Sequence, residues 1–179
     1  MRPRIVSPAS CKRRVIPMSA TGLEVFDRTI HLTNSWLDEI METLPRDRQL
    51  ASHALGAVLR TIRDRVPIEL AAHLGAQLPL IVRGTYYDRF RPSDAPQNWR
   101  SAEQFLSIIT AELSSTRPVS APDAAHAVFQ VLNHHAVFQV LNHYVDPGQV
   151  EKIRHALPEE VRAMWPESKR TPRRAEPVS

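Results

Sequence analysis

Cysteine is almost missing: Cys11 is the single thiol, so no internal disulfide can form, and the chain has the composition of a reducing compartment. Glycine is equally sparse, five scattered residues, and none builds the Gly-rich loop that cradles a phosphate. Uninterrupted aliphatic stretches reach only about five residues, as around Leu80-Ile81-Val82, far short of the roughly 20 that a membrane helix needs. The N-terminal segment has charges but no apolar core, which argues against a secretory signal. No Ser nucleophile elbow and no His-Glu-x-x-His pair is present. These absences lead us to expect a cytoplasmic, non-enzymatic protein with no cofactor.

Charge is present but unevenly placed. Residues 1–17 hold five basic side chains and no acid, and residues 167–179 hold four basic against two acidic. With a chain total of +4, residues 18–166 are left at −3. The sequence pI of about 9.7 therefore belongs to the tails. Attraction of the folded part to a phosphate backbone is not expected, and any nucleic-acid contact would be weak and through the tails. Pro3, Pro8 and Pro17 interrupt the first segment, and Met18 stands where helical patterning is about to begin. Residues 1–17 thus read as a disordered extension, with Met18 the candidate start of translation. Residues 167–179 read as a disordered basic tail.

Apolar periodicity then takes over. Leu23, Phe26, Ile30, Leu37, Ile40, Met41 and Leu44 recur at helical spacing, and Pro45 closes the run. Leu50, Ala54, Ala57, Val58, Ile62 and Val66 form a second stripe, and Pro67 with Glu69 opens a third helix. Pro79 must restart or kink the chain. Gly84, Pro92, Ser93, Asp94, Pro96 and Asn98 are turn formers, so residues 83–99 read as a connector. Ser101 with Gln104 makes a capping box for a fourth helix. Ser120, Pro122 and Asp123 open a fifth, Asp146-Pro147 a sixth, and Pro158 a last short turn ending near Trp165-Pro166. Nothing has a sustained period of two. The expected fold class is all-α, a compact bundle of about six to seven helices.

The bundle should be made of two related halves. At a constant offset of 79, Ala57/Ala136, Val58/Val137, Val66/Val145, Leu78/Leu157, Pro79/Pro158, Val82/Val161 and Arg83/Arg162 are identical. We therefore expect a single helical domain over 18–166, with repeat one at 21–85, a linker at 86–99 and repeat two at 100–166. A second, shorter repetition is literal: His126–His134 reads His-Ala-Val-Phe-Gln-Val-Leu-Asn-His, and His135–His143 repeats it letter for letter. Nine helical residues advance about 900°, half a turn out of phase, so one straight helix cannot show both copies to one core. Either the first copy lengthens the helix and turns Val128, Phe129, Val131 and Leu132 to another surface, or the chain kinks there.

Phe26-Asp27-Arg28-Thr29-Ile30, Leu50 through Arg65, Ala76-Gln77-Leu78-Pro79, Arg83-Gly84-Thr85-Tyr86-Tyr87 and Leu157-Pro158 together resemble a bacterial family, domain of unknown function 2267, over roughly 21–166. The resemblance implies a small all-helical protein with two related halves, and no activity. Two features depart from the family pattern: the nine-residue duplication, and Phe90 where a Trp is common.

Two constellations are candidates for function. Arg83, Tyr86, Tyr87, Phe90 and Arg91 interleave cations with aromatics, a composition able to stack a base, clamp a phosphate or meet a partner. The plainer alternative is that Tyr86, Tyr87 and Phe90 anchor the crossing between halves while the arginines stay solvated or paired. The histidines His126, His134, His135 and His143 lie eight, one and eight apart, not the i,i+4 of a helical metal pair, so no metal is expected. Asp38, Glu39 and Glu42 have the spacing of a solvated face. We expect an interaction module binding a protein partner or itself. The alternative is a small-ligand protein or enzyme with a pocket between the halves, near Arg83, Tyr86 and Tyr87.

Overall fold

A computed structural model describes residues 22–114, 118–141 and 148–166, with backbone alone for 136–141 and 148–150. The tails, Met18, Asp146, Pro147 and His143 lie outside the described residues. Among the described residues the fold is all-α: α1 Glu24–Thr43, α2 Arg48–Arg65, α3 Ile68–Gln77, α4 Leu80–Tyr87, α5 Ala102–Leu113, α6 Ala121–Leu141, α7 Gly148–Ala156 and α8 Glu159–Ala163. A 3-10 turn at Pro92–Asp94 interrupts the segment between α4 and α5, and no strand occurs among these residues.

The helix starts follow from local chemistry. Asp47 caps α2 by accepting from the backbone N–H of Gln49 at 2.9 Å and of Leu50 at 3.2 Å. Ser101 accepts from the Gln104 N–H at 3.2 Å, and the Gln104 side chain accepts in return from the Arg100 N–H at 2.7 Å. Pro67, Pro79 and Pro158 stand at the N-caps of α3, α4 and α8, where a missing N–H removes no helical bond. One expectation fails here. Residues from Arg83 onward, read as connector because of Gly84, continue as α4 through Tyr87. Val82 and Tyr86, four apart, are both buried, and that shared face outweighs the roughly 1 kcal/mol penalty of a helical glycine.

α2 is the central helix, packed against α1, α4, α5 and α6. Its Val58, Leu59 and Ile62 are fully buried with Ile40 of α1, Phe105 and Ile109 of α5 and Phe129 of α6. An aromatic ladder crosses the core. Trp99 meets Phe105 at 5.3 Å, Phe105 meets Phe129 at 6.1 Å, and Phe129 stacks on Trp165 at 4.2 Å between ring centroids. The Trp165 indole N–H donates to Asn133 Oδ1 at 2.6 Å, and Asn133 Nδ2 donates to the Pro166 carbonyl at 2.6 Å.

The Pro79 and Pro158 elbows match in detail. The proline φ and ψ are −53° and 146° in one and −54° and 149° in the other. Arg83 Nη2 donates to the carbonyls of Ala76 at 2.8 Å and Leu78 at 3.1 Å, and Arg162 Nη2 to that of Leu157 at 3.2 Å. Leu78 and Val82 are buried at the first elbow, Leu157 and Val161 at the second.

Of the two alternatives for the literal duplication, displacement of the first copy fails among the described residues. α6 is one helix across the junction at His134-His135. Its first copy is not displaced to another surface: Val128, Phe129, Val131 and Leu132 are all in the core. The cause is phase, because Ala121, Ala124, Ala125, Val128, Phe129 and Leu132 continue one three-and-four pattern from the helix start.

Candidate functional site

The α4 exit, where sequence places the candidate binding residues, is organised by a residue that sequence reasoning passed over. Arg63, in the last turn of α2, is buried. Its Nη1 donates to the carbonyls of Tyr86 and, at 3.0 Å, of Asp88, so it caps the C-terminus of α4. Its Nε and Nη2 form a fork on both Asp64 oxygens at 2.7 and 3.0 Å. The guanidinium carbon also lies 4.7 Å from the centre of the Phe90 ring. Nothing in the sequence separates Arg63 from the solvated cations beside it.

The five candidates take different places around this fork. Tyr86 is fully buried, and its hydroxyl donates to the Ala71 carbonyl at 2.8 Å. Tyr87 is exposed at one edge and lies against Gly75, where a Cβ would collide with its ring. Tyr87 also meets Tyr86 at 4.9 Å and Phe90 at 5.9 Å. Arg83 is turned back onto the end of α3, and Arg91 is exposed. Tyr87, Phe90 and Arg91 therefore share the accessible part of the loop, with Arg83 and Tyr86 beneath it.

Burial pushes the Tyr86 hydroxyl well above the usual phenol range, the nearby Tyr87 adding to the shift and Arg63 opposing it. Above about pH 10 an unfolded tyrosine gives up its proton while the folded one keeps it, so folding stability falls as pH rises. Urea midpoints at about pH 9 and about pH 11 should fall less steeply for Tyr86→Phe than for the natural chain. Equal slopes would show that Tyr86 is not the linked group.

A second cluster joins helices far apart in sequence. Glu39 of α1 holds His134 Nδ1 on one carboxylate oxygen at 2.9 Å and His135 Nε2 on the other at 3.0 Å. Trp36, one turn away and buried, meets the His135 ring at 4.8 Å and a tilt of 34°. Burial pushes the Glu39 carboxyl up, but the hydrogen bonds and charge of His135 and His134 together outweigh it and hold the group below its ordinary range. Glu39, read as part of a solvated face, is thus half-buried and bonded, whereas Asp38 pairs with Arg48 at 2.8 Å near the surface.

A cleft of about 650 Å³ lies between α2 and α5, with His53 and Arg60 on one wall, Glu112 on the other and Arg89 at the rim. Arg60 pairs with Glu112 across it.

The family model for an uncharacterized conserved protein, DUF2267, matches residues 33–164, from the middle of α1 to the end of α8. The chain belongs to the DUF2267 family. The match takes in both elbows, Arg63 and the α4 exit, while residues 24–32 of α1 and its N-cap Leu23 precede it. No curated protein matches the chain. No helix of the described residues is long and apolar enough to cross a membrane.

Proposed function

We propose that this DUF2267 member is a non-enzymatic helical interaction module of the cytoplasm, binding a protein partner or a second copy of itself. One observation carries the reading. Leu23, Phe26 and Ile30 continue the face on which Leu37 and Met41 pack against the core, yet they are 54%, 42% and 37% exposed. Val25 and Leu32, on other sides of the same turns, are 65% and 37% exposed. A helix end that is apolar and open on several sides has the character of a segment that docks into a groove or pairs with another helix. Tyr87, Phe90 and Arg91 at the α4 exit are a second contact candidate, supported from below by Arg83 and Tyr86.

Sedimentation of the full chain, alone and after cross-linking in a nuclease-treated lysate, tests this. The expected result is self-association or one stoichiometric protein complex. It should be lost in the Phe26→Glu, Ile30→Glu double variant or in the Tyr87→Ala, Arg91→Ala double variant. A monomer at about 100 μM with no cross-linked partner would overturn the module. Affinities weaker than this correspond to less than about 5.5 kcal/mol of binding.

The runner-up, a small-ligand site between the halves, has the α2–α5 cleft in its favour, because it joins cations of the first half to Glu112 of the second. Arg83 and Tyr86 do not line it. Weak nucleic-acid binding, the third reading, would rest on tails outside the described residues.

A further inference from the structure

We propose that Glu39, His134 and His135 form a binding site for a divalent transition-metal ion of the zinc class, which ties α1 to α6. The three ligand atoms lie within 4.8 Å of one another. A tetrahedral ion with bonds of about 2.1 Å needs neighbouring donors roughly 3.4 Å apart, so the widest pair must close by about 1.4 Å. The adjustment falls to His134, the more exposed of the two rings at 49%. His135 is held more firmly, 13% exposed and in contact with the Trp36 ring.

Ligand chemistry favours the same class of ion. Two imidazoles and one carboxylate suit zinc, cobalt or nickel better than calcium or magnesium, which want oxygen shells. The exposed side of His134 leaves room for a water as fourth ligand. The approach of α1 and α6 is independently fixed, because Thr43 donates to Gln130 at 3.3 Å further along the same contact. The donors are therefore carried by packed helices, not by a loose surface cluster. Sequence spacing missed the site because it considered pairs on one helix, whereas Glu39 comes from 95 residues away.

The duplication makes the site. His134 ends the first copy and His135 begins the second, so the adjacent pair exists only at their junction. Removing residues 135–143 restores a single copy in which His134 is followed by Tyr144. One imidazole is then lost from the cluster, while the core-filling first copy is kept.

The test is calorimetric titration of the untagged full chain with Zn²⁺, paired with the visible spectrum of the Co²⁺ form. We expect one equivalent bound and a tetrahedral Co²⁺ band. Affinity should drop at least about tenfold in Glu39→Gln, in His134→Ala and in the 135–143 deletion, and stay unchanged in His53→Ala and His155→Ala. His134→Ala alters a half-exposed side chain, so its fold is not at issue. No binding at micromolar Zn²⁺, or binding that survives all three changes, would overturn the site and leave a plain hydrogen-bonded clasp.

Discussion

Arg63→Met should lower the unfolding free energy by about 3 kcal/mol, as read from urea denaturation at neutral pH. Methionine keeps most of the volume but removes every donor. The carbonyls of Tyr86 and Asp88 lose the group that caps α4, and the Asp64 carboxylate loses its fork. Asp64 retains some contact with water, its side chain being 25% exposed, which keeps the estimate at the low end for a broken buried pair. Arg63→Lys should recover little, since an ammonium cannot bridge two carbonyls and a bidentate carboxylate at once. A loss under about 1 kcal/mol would mean that the α4 exit holds itself without the guanidinium.

Phe129→Ala should have the larger effect, about 4 kcal/mol, with loss of the near-UV signal of Trp165. The ring stacks on Trp165 and faces Phe105, and it is fully buried, so truncation opens a cavity in the middle of the aromatic ladder. Domains of this size hold only about 5–15 kcal/mol in all, so the variant should sit close to unfolding at growth temperature. Phe129→Leu, which conserves more volume, should cost about 1 kcal/mol. The pair also decides which copy of the nine-residue repeat builds the core. A near-neutral Phe129→Ala would hand that role to the other copy.

Much of the architecture was readable before any coordinates, because helices announce themselves locally. Proline positions set the starts at Pro67, Pro79 and Pro158, and Ser101 caps α5 as its type promises, although Gln104 reaches back to the Arg100 N–H, one residue before the cap. The apolar stripes of α1 and α2 supplied the buried residues Ile40, Leu44, Val58 and Ile62. What failed was non-local. Gly84 looked like a turn because the burial of Val82 and Tyr86 beside it depends on packing against other helices. Arg63 went unmarked because two of its partners are backbone carbonyls, which every residue owns and no pattern marks. Glu39 and His134 lie in different periodic segments, and only the antiparallel meeting of α1 and α6 puts them together. The candidate loop at the α4 exit was half legible: aromatic content drew attention to it, but did not say which of Tyr86 and Tyr87 would face water.

The two proline elbows differ from the α1–α6 contact in how much chain each must close. Arg83 reaches carbonyls five and seven residues back, and Arg162 one five residues back. The Glu39 clasp instead joins points 95 and 96 residues apart. By the logarithmic dependence of loop entropy on length, the long closure is dearer by about 2 to 3 kcal/mol. Each elbow can therefore assemble from its own neighbourhood while the rest of the chain is still searching. The meeting of the first long helix with the sixth carries the entropy of nearly all the chain between them.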